Sequence, residues 1–186
     1  NGDVPKYLEG ESEASRKLYS FVSLVVPVSF SILVYIRDHY EHGLFYTLLV
    51  CVAAWIADTA AYFVGRAFGK HKLCPLISPH KTVEGAIGGV FFAVLFFVLF
   101  CFGYSKLRSG VHISYLAATI DGAVCAVMGI VGDLMASVVK RQRGIKDFGH
   151  IMPGHGGVMD RFDSFLFVAP TLYLILQVLP IVTTLA

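Results

Sequence analysis

Charge is scarce in this 186-residue chain: Asp, Glu, Lys and Arg together make up 15% of it, against about 25% in soluble domains. That shortage, with 56% hydrophobic residues and a mean hydropathy of +0.69, argues against a soluble domain and for the membrane class. The net charge is only +2, too little basic excess for nucleic acid to be a partner. Cysteine is also sparse. Cys51, Cys74, Cys101 and Cys125 are widely spaced and form no CxxC or Cys/His ligand pattern, which removes a zinc site and a disulfide framework. Three of them lie in apolar runs, where a thiol acts as a small hydrophobe. There is no internal repeat and no low-complexity linker. The chain starts at Asn1, and its first apolar run lacks the small-residue cleavage pattern of a signal peptide. The expectation is a chain lacking N-terminal spans of a longer protein.

Long apolar runs are what the sequence has instead. A helix crosses a bilayer with about 20 mostly apolar residues, and five stretches qualify: 18–36, 44–65, 85–104, 113–139 and 164–184. Pro27, Pro170 and Pro180 fall inside them, which membrane helices tolerate better than soluble ones. The fold class predicted is all-α, a polytopic integral membrane protein with about five spans. Residues 1–17 form a polar N-terminal segment, an interfacial helix or a loop, and 18–186 form one membrane-embedded domain. Segments 1–17, 66–84 and 140–163 hold twelve Lys and Arg residues, and the opposite loops hold only Arg37, Lys106 and Arg108. This positive-inside bias predicts that the three basic segments face the cytoplasm.

Two of these basic segments carry candidate chemistry. Ser137–Asp163 holds five basic side chains, three carboxylates and two histidines between apolar runs. Asp133 precedes it on the same helix face as Ser137 and Lys140. An ionisable residue in a span is costly and by default functional, although Asp133 could simply pair with Lys140 or Arg141. Asp160 and Asp163 are three apart and share a helix face, or else Asp163 is an N-cap and Asp160 pairs with Arg161. Together with Asp133 they offer the hard oxygen donors that Mg²⁺ takes while it also binds phosphates. Gly156 and Gly157, following Pro153-Gly154-His155, allow backbone N–H groups to approach a ligand closely. The other loop, Ser78-Pro79-His80-Lys81-Thr82-Val83-Glu84-Gly85, leads into the third span with Thr82 as its cap, a helix start suited to an anion. Asp58 is a further carboxylate within a span; it orients a basic side chain or contacts a ligand.

With these residues in view, the chain resembles the phosphatidate cytidylyltransferase (CDP-diacylglycerol synthase) family. The family motif is matched at Ser137, Lys140, Arg141, Lys146, Asp147, Gly149, Pro153, His155, Gly156, Gly157, Asp160, Arg161 and Asp163. Met152 stands where Leu, Ile or Phe is more usual. The loop Ser78–Gly85 is similar to the family's second block, with His80 where Lys is common, and Asp58 sits in a third similar segment. The resemblance covers about residues 44 to 180 and corresponds to the C-terminal, catalytic part of such enzymes.

The resemblance implies transfer of CMP from CTP to phosphatidic acid at the cytoplasmic face of a membrane, favouring a bacterial inner membrane. For that chemistry Asp133, Asp160 and Asp163 are the expected ligands of one or two Mg²⁺ ions. Lys140, Arg141, Lys146, Asp147, His155 and Arg161 are the expected catalytic residues. Asp58, Ser78, Lys81, Thr82, Glu84, Ser137, Gly156 and Gly157 are the expected substrate contacts. Membrane lipids and a homodimer partner are implied as well. A related enzyme that uses CTP to phosphorylate a lipid alcohol is the nearest alternative. A transporter is a more distant one, because the charge gathers at one membrane face and not at the midplane.

Overall fold

The computed structural model describes residues 6–108, 110–142 and 162–183, with side chains from residue 23 onward except that of Gln142. Five helices dominate: α1 Lys6–His39, α2 Gly43–Phe68, α3 Val83–Leu107, α4 Tyr115–Gln142 and α5 Phe165–Leu176. Among them α2, α3 and α4 are long and apolar enough to cross a membrane. The all-α membrane architecture read from hydropathy is therefore the observed one, and the chain is a membrane protein. α1 contains the first apolar stretch and extends back to Lys6 as helix, so the polar segment is helical there.

The last apolar stretch behaves differently from its prediction. Its helix has 12 residues, about 18 Å at 1.5 Å per residue, well short of a hydrocarbon core of about 30 Å. The amides of Val178 and Leu179 close a final turn on Ile175, and Pro180 has no N–H with which to continue. The chain then forms β4, Val182–Thr183, antiparallel to β3, His112–Ile113. A second small hairpin, β1 Lys72–Cys74 with β2 Ser78–Thr82, joins α2 to α3. Neither pair is visible in hydropathy, because each strand is too short to show an alternating pattern.

Side-chain size sets the approach of α2 and α3. Ala57, Ala61 and Gly65 recur every four residues on α2, as do Gly85, Gly89 and Ala93 on α3. Such stripes let membrane helices come together closely enough for backbone contact. A Cβ added at Gly85 would lie 2.6 Å from the Ala61 carbonyl oxygen, and one at Gly89 would lie 2.8 Å from that of Ala57. Larger apolar residues fill the other end of the bundle, where Phe45, Leu49, Val50, Phe97, Val168 and Leu172 form the buried core. α1 is pinned to α5 by the buried Ser29 hydroxyl, which donates to the Leu166 carbonyl at 2.6 Å.

The α2–α3 contact generates a direct test. Gly89→Val puts a branched side chain against the Ala57 carbonyl and should cost about 1–3 kcal/mol of stability, as overpacking does. It would be read as a lower Tm in detergent, and an unchanged Tm would refute the close contact.

Candidate active site

The small-residue seam runs toward the end of the bundle at which the β1–β2 hairpin sits, and a cavity of about 490 Å³ opens there. Asp58, Ala61, Tyr62, Gly65 and Arg66 of α2 form one wall, and Ile130 and Asp133 of α4 contribute another. The hairpin and the start of α3 complete it with Leu73, Ser78, His80, Lys81, Thr82, Gly85 and Ala86. Two sequence segments more than 50 residues apart thus meet at one site, as the placement of their charge suggested.

Local rules explain how the hairpin is held. Thr82 caps α3 by accepting from the Gly85 amide at 3.1 Å, the role expected of it. Glu84 turns away from the cavity. Its Oε1 lies 2.6 Å from His71 Nδ1, and both its oxygens accept from the His71 amide at 3.2 Å. Glu84 therefore braces the hairpin and is not on the cavity wall, unlike Ser78, Lys81 and Thr82. Arg141 donates from Nε to the Ile77 carbonyl at 3.2 Å, tying the end of α4 to the hairpin turn.

Ion pairs then link the elements around the cavity. Lys81 of β2 pairs with Asp133 of α4, so the partner of Asp133 comes from a different loop and not from its own helix. Lys140 Nζ lies 3.8 Å from Asp163 Oδ2, with both side chains largely buried. Ser137, one turn before Lys140, is also buried. Asp163 Oδ1 accepts from the Ser164 amide at 2.9 Å. Asp58 Oδ2 accepts from the Ser164 hydroxyl at 2.8 Å. The N-cap of α5 is Ser164, and not Asp163, the alternative role that its place before the last apolar run allowed. Gly132 makes room for this turn, since a Cβ there would lie 3.0 Å from the Asp163 carbonyl oxygen.

The predicted Lys146, Asp147, His155, Gly156, Gly157, Asp160 and Arg161 lie outside the described residues. Among the described residues, no three His, Cys, Asp or Glu side chains gather closely enough to hold a metal. The donor type nonetheless suits a hard divalent ion. Asp133 and Asp163 act on one another electrostatically, and each is offset by a lysine ammonium, which places positive charge where carboxylates would otherwise repel.

Sequence reading missed three participants. Arg66 lines the cavity and donates to the Tyr62 hydroxyl at 3.0 Å. Its place in the last turn of a span, among the basic loops, was the available signal. Tyr62 and Ser164 gave no signal, because their roles depend on which helices become neighbours.

A polytopic helical membrane protein with paired carboxylates and cations around a cavity at one end is the class that fold and site define. Residues 5–179 match the profile of the cytidylyltransferase family, and the chain belongs to that family. Over 157 residues it is 41% identical to a Bacillus subtilis (strain 168) protein named phosphatidate cytidylyltransferase, covering 84% of this chain and 56% of that protein. A Staphylococcus aureus (strain COL) protein of the same name is 45% identical over 142 residues, covering 73% of this chain and 50% of the relative. The chain spans about half the length of the curated relatives it matches.

Burial drives the Asp163 carboxyl up from its usual value to about 6, and the Asp133 charge adds to this, while Lys140 and the Ser164 amide oppose it. The folded protein then keeps a proton that the unfolded chain releases above about pH 4. Stability from this group is full below that pH and is lost as pH rises through about 6. With chelator present, Tm should fall over this window. Asp163→Asn should flatten that part of the profile, and a variant with the same slope would refute the assignment.

Proposed function

We propose that this chain forms the catalytic part of an enzyme that transfers CMP from CTP to phosphatidic acid, releasing pyrophosphate and CDP-diacylglycerol. The observation that carries this reading is the Lys81–Asp133 pair at a cavity that also holds Asp58, in a member of the cytidylyltransferase family. The names of the similar bacterial proteins support the choice of substrates.

In this reading a phosphate oxygen of the lipid forms a bond to the α-phosphorus of CTP, and the bond to the bridging oxygen of pyrophosphate breaks. Both reactants are anions, so catalysis consists mainly of positioning them and stabilising charge as it moves. Lys81, Lys140 and Arg141 provide cationic charge around the reacting phosphates, joined by Lys146 and Arg161. Ser78 and the capped start of α3 contribute donors to an anion, with Ser137 and the glycines 156 and 157 as further contacts. No general base is required, because the lipid phosphate is already ionised at neutral pH.

Asp133, Asp160 and Asp163 would hold Mg²⁺, which supplies charge neutralisation on attacking and leaving oxygens. The excess of Lys and Arg on the segments around the cavity supports a cytoplasmic orientation, where CTP is available.

The discriminating experiment follows the label from CTP. The full protein, given phosphatidic acid and Mg²⁺, should move label from the α-phosphate into lipid; γ-label in lipid would instead indicate a lipid kinase. Asp133→Asn should lower turnover by about 10²–10³-fold, the range for loss of one preorganised electrostatic contact. Near-normal turnover would remove Asp133 from the site.

A further inference from the structure

Ser164 breaks a local rule. It occupies the N-cap of α5, where a serine hydroxyl ordinarily accepts from an amide of the first turn, yet it makes no such bond. Its Oγ donates to Asp58 Oδ2 at 2.8 Å, a residue on α2 and 106 positions earlier in the chain. Its own amide donates to Asp163 Oδ1 at 2.9 Å. Ser164 is 1% exposed, so both bonds are shielded from solvent. The helix start is served by the Ser164 carbonyl, which accepts from the Phe167 and Val168 amides.

Departures from local preference concentrate where function demands them. Here one buried residue contacts two carboxylates, a distant one on the cavity wall and its own chain neighbour, which is paired with Lys140. We propose that Ser164 is a positioning residue that fixes Asp58 and Asp163 relative to one another across α2 and α5. The assignment rests on the cytidylyltransferase reading for its chemistry and adds to it a residue that touches neither metal nor substrate.

A serine that only docks α5 on α2 would affect Tm and nothing else. A positioning serine also affects turnover and the metal response, because it ties Asp58 to Asp163, one of the carboxylates that would hold Mg²⁺. The test uses the full protein in detergent with Ser164→Ala, Ser164→Thr, Asp58→Ala and the double variant Ser164→Ala/Asp58→Ala. Two quantities are read: the Mg²⁺ concentration for half-maximal increase in Tm without CTP, and kcat for CMP transfer.

Ser164→Ala should raise the Mg²⁺ requirement and lower kcat, each by about 10-fold or more, the scale for outer-shell partners of a metal site. The KM for CTP should move little. Ser164→Thr, which keeps the hydroxyl, should restore both quantities. In the Asp58→Ala background, Ser164→Ala should add no further loss. If Ser164→Ala does not fold, Ser164→Cys keeps the volume, weakens the donor and carries the same readouts. An active wild type whose serine variants keep kcat and Mg²⁺ response overturns the proposal alone, as does full additivity with Asp58→Ala. A wild type that transfers no CMP overturns the enzymatic reading, and the role of Ser164 with it.

Discussion

A carboxylate that stays ionised below the surface of an apolar body must find a cation or a hydrogen-bond donor, because its desolvation otherwise costs several kcal/mol. Three carboxylates meet this requirement at one end of the bundle by three different means. Asp133 takes a lysine from the hairpin, Asp163 takes a lysine from α4 and an amide, and Asp58 takes a serine hydroxyl. Each solution joins elements distant in sequence. The charges therefore organise the fold at this end, much as the apolar core organises the other.

These pairings depend on how closely the helices approach. Without the small residues of α2 and α3, the hairpin could not lie against the end of the seam, and Lys81 could not reach α4. The Thr82 cap and the Glu84–His71 brace fix the hairpin on either side of the α3 start. Gly132 performs the matching service on α4 by admitting the backbone before α5. Backbone contact at these positions is what brings long polar side chains into register. The same geometry leaves the cavity lined on one side by helix and on the other by a short β-hairpin, a mixture that gives it both apolar walls and polar donors.

The spans α2, α3 and α4 were legible because hydropathy over 20 residues is a strong local signal. So was the joining of two basic segments, since charge bias assigns both to one face. The length of α5 was not legible: an apolar run looks the same whether it continues as helix or turns at Pro180 into a strand. The hairpin was hidden by its shortness and by Pro79, which argues against a strand in any local reading. Individual partners were beyond reach for another reason. Asp133 had a lysine and an arginine available on its own helix, and only the packing of β2 against α4 gives preference to Lys81. Thr82 was legible as a cap, since that role is decided within four residues.

Asp121 shows why an intramembrane carboxylate is not by itself a site. It is fully buried in α4, and both its oxygens are without a hydrogen-bond partner among the described residues. Its surroundings include the buried thiols of Cys101 and Cys125, and it is not on the wall of the cavity. Asp58 shares its intramembrane position but not its isolation: it lines the cavity, and Ser164 aims a hydroxyl at it. A carboxylate held by a donor beside a cavity has a fixed direction toward whatever enters that space. Connection to a donor and access to a ligand-sized space separate the two aspartates, and neither property can be read from residue type or hydropathy. For that reason Asp58 carries weight at the site and Asp121 does not.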